Sequence, residues 1–123
     1  MKFTNFDIYN YGQQVNGMFT NKDLYLPAKV NFFLQKNIQT MINAAEEIEK
    51  SRIEIVRHYG VPNEETGSIE VPVELTAVAT AEIQDLFNLE QELNITPINI
   101  EKFGNIELTL EQMNAIMFMI EGD

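Results

Sequence analysis

Residues 26–60 read LPAKVNFFLQKNIQTMINAAEEIEKSRIEIVRHYG, and this stretch decides the architecture. Both ends carry helix punctuation. Pro27 suits a first helical position, where a missing N–H costs nothing. Gly60 suits a left-handed position just past the end, and Pro62 bars continuation. Arg57 and His58 place positive charge at the negative pole of the helix dipole. Between the ends, Leu34, Ile38, Met41, Ala45, Ile48, Ile55 and Tyr59 recur in steps built from four and three, the seam of a helix packed on other helices. Val30, Ile42 and Val56 widen the seam into a stripe. The spacing predicts one helix over 27–59.

Such a helix runs roughly 50 Å at ~1.5 Å per residue. A compact chain of 123 residues has a radius of gyration near ~14 Å and a diameter of about 35 Å. The helix is therefore too long to be wrapped on all sides by its own chain, and no internal Pro or Gly kinks it. The expectation is a mainly α protein, α+β through a small β-hairpin, with the long central helix in an antiparallel helical hairpin or bundle and the chain a homo-oligomer.

Two features of the helix depart from simple core. Arg52 occupies a seam position. It is either a structural ion pair with a Glu of a facing helix, or an anion or partner contact held in a groove. Lys29, Lys36, Lys50 and Arg57 recur at multiples of seven, with Asn43 filling the gap, on the face opposite the seam. They are either a solvated outer face or a basic track for a partner. Together these five make up most of the eight basic residues, so any basic patch falls on this helix.

The rest of the chain reads as one domain with further, shorter helices. Thr4 with Asp7 resembles a capping box for a helix over 5–19, whose face is Ile8, Tyr11, Val15 and Met18; Gly12 and Gly17 weaken it. Asn21 to Asp23 mark a loop. Residues 60–72 form a polar, turn-rich link, with a short strand pattern at Ile69, Val71 and Val73 that Pro72 confines to an edge. A helix over 74–93 presents Leu75, Val78, Ala79, Ile83, Leu86, Phe87 and Leu93 as the partner of the long helix. An extended hairpin is expected over 95–108, turning at Gly104 and Asn105. Thr109 and Gln112 form a capping box for a last helix over 110–121, with Leu110, Met113, Ile116, Met117 and Ile120 as its buried face, widened by Phe118 and Met119.

The net charge of −11 keeps such a chain soluble and repels nucleic acid over most of its surface. No cysteine is present, which removes disulfides, thiol nucleophiles and zinc-finger sites. The single histidine, His58, lacks a second ligand at metal-binding spacing. Ser51 and Ser68 lie outside any nucleophile elbow, and the scattered glycines form no phosphate-cradling loop. The acidic pairs Glu46/Glu47, Glu64/Glu65 and Glu90/Glu92 read as surface. No catalytic residue, cofactor or metal site is expected. MKFTNFDIYN lacks the apolar run of a secretory signal, and the longest apolar run, Ala115 to Ile120, is far short of a membrane span.

Four segments carry a resemblance: DIYNYGQ near the start, YLPAKVNFFLQKN at 25–37, the EEIEKSRIEIVRHYG helix end, and the closing LTLEQMNAIMFMIEGD. Through them the chain resembles a family of short, uncharacterised proteins of tailed bacteriophages and prophages, over nearly its whole length. The resemblance implies a phage origin and action in the host bacterial cytoplasm, with no activity to carry over. Three functions fit. The first is a non-enzymatic protein that binds a host factor stoichiometrically, such as a counter-defence inhibitor. The second is a virion or tail-assembly accessory that meets other phage proteins. The third is a sponge for a small nucleotide-like anion held between protomers by Arg52 with Lys29 and Lys36.

Overall fold

Ala28–Tyr59 is one unbroken helix of 32 residues, here α2. It is the axis of a computed structural model that describes residues 1–16, 26–104 and 107–121. In chain order the elements are β1 (Lys2–Thr4), α1 (Asn5–Val15), α2, β2 (Val61–Pro62), β3 (Ile69–Glu70), α3 (Thr76–Asn88), β4 (Glu90–Glu92), β5 (Ile98–Asn99), α4 (Leu110–Ile116) and β6 (Ile120–Glu121). Short 3-10 turns precede α3, follow β5 and follow α4. The protein is mainly helical, with four α-helices among the described residues and three two-stranded pairings.

The punctuation of α2 differs in detail from its reading. Pro27 is the residue before the helix, with extended ψ. Gly60 is extended, at φ −89°, and not left-handed. It is glycine because β3 passes over it: a Cβ there would strike the Ile69 side chain and the Val56 carbonyl. The link 60–72 is thus no simple loop. β2 and β3 pair antiparallel across it, Val61 opposite Glu70, and the turn closes through Gly67 at φ +74°.

α1 begins as expected, with Thr4 accepting from the Asp7 N–H at 3.1 Å. It ends at Val15, with Asn16 already extended; the expected continuation through Met18 and the loop at 21–23 lie outside the described residues. Gly12 does not weaken α1. It is the point where α1 crosses α2, where a Cβ would run into the Ala45 methyl. This crossing makes α1 the principal helical neighbour of α2, ahead of α3.

Two expected helices are shorter than read. The helix expected over 74–93 starts as a 3-10 turn and ends at Asn88. Glu90–Glu92 then pairs antiparallel with β1, Lys2 opposite Glu92. Asn5 fixes this corner: its side chain donates to the Leu86 carbonyl at 2.8 Å and accepts from Gln91 Nε2 at 2.7 Å. The hairpin expected over 95–108 does not form among the described residues, which leave out 105 and 106. Ile98 and Asn99 pair instead with Ile120 and Glu121, in parallel.

The helix expected over 110–121 has its reciprocal capping box, Thr109 with Gln112. It closes at Ile116, and its last residues turn into β6 so that strand pairing replaces helix continuation. That change of course keeps Ile116 and Met119 of the expected face and corrects the rest. Ala115, Ile116 and Met119 are buried, while Leu110 (76% exposed) and Met117 face outward.

The core lies along the first two-thirds of α2. Val30, Leu34, Ile38, Met41, Ala44 and Ile48 pack with Ile8 and Val15 of α1, with Leu93, Ile95, Ile98 and Phe103, and with Ala115, Ile116 and Met119. Beyond Ile48 no residue of α2 is buried.

Candidate functional site

Arg52 is the first seam position after the core stops. Its guanidinium takes both oxygens of Glu49, through Nε at 3.0 Å and a terminal nitrogen at 2.5 Å. The paired Glu is thus three residues back on α2 itself, not on a facing helix. What α1 contributes is Tyr9, whose hydroxyl is a second donor to Glu49. The hydrogen bond from Arg52, aided by that of Tyr9, holds the Glu49 carboxyl below its ordinary range. Glu49 in turn pushes the Tyr9 phenol and the Arg52 guanidinium up. A bidentate Arg–carboxylate pair of this kind is well satisfied. It reads as a buttress at the α1–α2 crossing, and it borders an open cleft of about 280 Å³ between Tyr9, Gly12, Ala45 and Glu49.

The other basic residues of α2 are dispersed along it. Lys36, Lys50 and Arg57 are exposed on the outer face. Lys29 stands at the opposite end from Arg57, on the rim of a separate cleft. Arg52 and Lys29 are 23 positions apart in one straight helix, roughly 35 Å at 1.5 Å per residue. Within one chain they line two separate parts of α2, and the groove expected for a small anion is one between protomers.

The far third of α2 has a different character. Ile53, Ile55, Val56 and Tyr59 continue the apolar stripe but are only half-buried. They are covered by α3 and by the β2–β3 hairpin. The Tyr59 hydroxyl donates to Glu82 of α3 at 2.5 Å, a strut across the end of this arm. Around it, Val61, Ile69, Val73 (89% exposed) and Val78 turn apolar side chains to solvent. Residues 49–88 hold eight carboxylates against three basic side chains. All of these carboxylates but Glu49 are exposed.

One residue with a decisive role carried a signal that reading the seam for apolar residues passes over. Asn37 is fully buried between Leu34 and Met41. Its side chain donates to the Thr96 carbonyl at 2.8 Å and accepts from the Thr96 N–H at 2.9 Å. A polar residue inside an apolar seam is itself the clue, since burial without partners is costly.

Among the described residues, no group of three or more His, Cys, Asp or Glu side chains is placed to hold a metal ion. No described helix is long and apolar enough to cross a membrane. Comparison of the chain with protein-family models, with curated proteins and with solved structures finds no match.

Proposed function

We propose that the protein is a non-enzymatic binding protein that acts by stoichiometric occupation of a partner protein's surface, and that the arm formed by the far third of α2, the β2–β3 hairpin and α3 is the part that binds. The observation that carries this reading is the continuation of the apolar stripe beyond the last buried residue, Ile48. A stripe left only partly covered within one chain, beside the exposed Val61, Ile69, Val73 and Val78, is explained by a partner that covers them. The acidic surround specifies that partner: an apolar surface rimmed by Lys and Arg, which the carboxylates would steer and register. Self-association through the arm, the homo-oligomer expected from helix length, would instead bring two acidic surrounds together. Taken with the phage-family resemblance, the partner proposed is a host factor or a phage assembly protein of an infected bacterium.

The test is capture from lysates of infected and uninfected host cells, using the wild type and a Val73→Asp/Val78→Asp variant. Both sites are exposed, so the variant keeps the fold. The reading requires one protein retained in stoichiometric amount by the wild type, lost with the variant and released by raised salt. A partner present only after infection, and found in purified virions, selects the assembly role over host-factor inhibition. No stoichiometric partner, or one retained equally by the variant, overturns the arm as the binding surface. Native mass spectrometry showing a dimer that the variant abolishes would make a second copy the occupant.

A further inference from the structure

At the opposite end of α2 from the arm lies a cleft of about 430 Å³, within the range of small-ligand pockets. Its walls are apolar: Val30 and Phe33 from α2, and Pro97 and Ile98 from the facing segment. Its polar groups are Lys29, Lys102, Thr96, Asn99 and Glu121. Two of the eight basic residues of a strongly acidic chain thus converge on one apolar cleft.

The cleft is held open by named contacts. Asn37, buried beneath it, grips both backbone groups of Thr96 and so fixes the Thr96–Pro97 wall. Pairing of Ile98 and Asn99 with β6 fixes the next two residues and brings Glu121 to the rim. Lys102 is carried by a 3-10 turn. The Asn99 side chain caps that turn by accepting from the Glu101 N–H at 2.9 Å, and the buried Phe103 anchors it. Lys29 rises from the first turn of α2, which has no acidic residue and no side-chain cap, so the positive end of the helix dipole adds to the potential there.

We propose that this cleft binds a small organic anion with a flat apolar body, an aryl phosphate or aryl carboxylate, with the ring against Val30, Phe33 and Ile98 and the anionic group between Lys29 and Lys102. Charge alone does not define the site, because Glu121 offsets one of the two ammonium groups. The apolar body is therefore required, and free phosphate is a poor ligand. The inference uses a different end of the molecule from the protein-binding arm, so either reading can fail without the other.

The test is a methyl and amide NMR titration of the full chain with 1-naphthyl phosphate, with inorganic phosphate and 1-naphthol as probes for the charge and the ring alone. Saturable shifts are expected at Val30, Ile98 and Lys102, with Val56 of the arm unmoved. Each half-probe should bind at least about tenfold more weakly than the whole. Lys29→Gln and Lys102→Gln, both exposed and safe for folding, should each raise Kd about tenfold, the loss of one charge-assisted hydrogen bond. Glu121→Gln should tighten binding and Lys36→Gln should leave it unchanged. The proposal is overturned by any of four results: no saturable shift up to about 10 mM probe, shifts that map outside the cleft, inorganic phosphate binding as well as the naphthyl ester, or a Kd unmoved in both lysine variants.

Discussion

From Val30 to Ile48 the stripe of α2 is covered by α1, the 93–98 segment and the turn that carries Met119; from Glu49 to Tyr59 the same stripe rests on α3 and a hairpin of two-residue strands. One helix with one apolar period therefore has a near two-thirds that is core and a far third that is a ledge. Periodicity states which side of a helix is apolar. It does not state how many elements arrive to cover that side, and here they arrive at one end. Dense packing at the near end gives a rigid base. The thin layer at the far end leaves apolar surface over, which is what a binding arm needs.

The largest effects should separate the two parts directly. Leu34→Ala deletes a fully buried side chain and should cost about 3–4 kcal/mol in chemical denaturation. Ile55→Ala, at an equivalent seam position of the far third, should cost about 1–2 kcal/mol, because part of the surface lost is already wet and the surroundings are less densely packed. Equal costs would erase the distinction. Amide exchange gives the same contrast without mutation: 49–59 should open before 34–48.

Asn37→Ala comes next. It strands two part-buried backbone groups of Thr96 and should cost about 2 kcal/mol. Asn37→Asp separates the two halves of the clamp, since it keeps the acceptor for the Thr96 N–H and loses the donor to the Thr96 carbonyl. It should be no better than Asn37→Ala at neutral pH, where the buried charge is an added cost. Gly12→Ala should follow at about 1–2 kcal/mol, the overpacking against Ala45 partly offset by helix propensity. Adding Ala45→Gly should recover part of that loss in a double-mutant cycle, and simple additivity would place the constraint elsewhere.

The same contrast marks what could be read from sequence. α2 and the two capping residues Thr4 and Thr109 were legible because each depends on neighbours within a turn or two. The pairing of β1 with β4 was not. Glu90-Gln91-Glu92 has no strand pattern, and its partner lies almost ninety positions earlier, so tertiary pairing overrides local propensity. Gly60 was legible as punctuation but not in its role, because Ile69 passes over it only after the hairpin folds back. At the candidate sites, the seam position marks Arg52 as exceptional without revealing its partners, and the seven-residue spacing puts Lys29 in a track with Lys36, Lys50 and Arg57. What gives Lys29 a cleft is Lys102, brought there by a turn that no period announces.

The smallest predicted effect concerns the junction between the two parts, where Glu49 joins Arg52 to Tyr9. A carboxyl held below its ordinary 4.5 adds stability that is present above that pH and is lost as pH falls through the lower folded-state value. Tyr9, held above its ordinary 10.0, adds stability that is present below that pH and is lost as pH rises through the higher folded-state value. The cluster is therefore intact across the neutral range and fails on both sides. About a third of the Glu49 and Arg52 side chains is exposed, so solvent screening limits its worth to a few tenths to about 1 kcal/mol. Glu49→Gln should lower stability by that amount at neutral pH, with the difference from wild type vanishing in acid. A difference that persists in acid would mean that Glu49 matters by packing, and that the core extends past Ile48 into the arm.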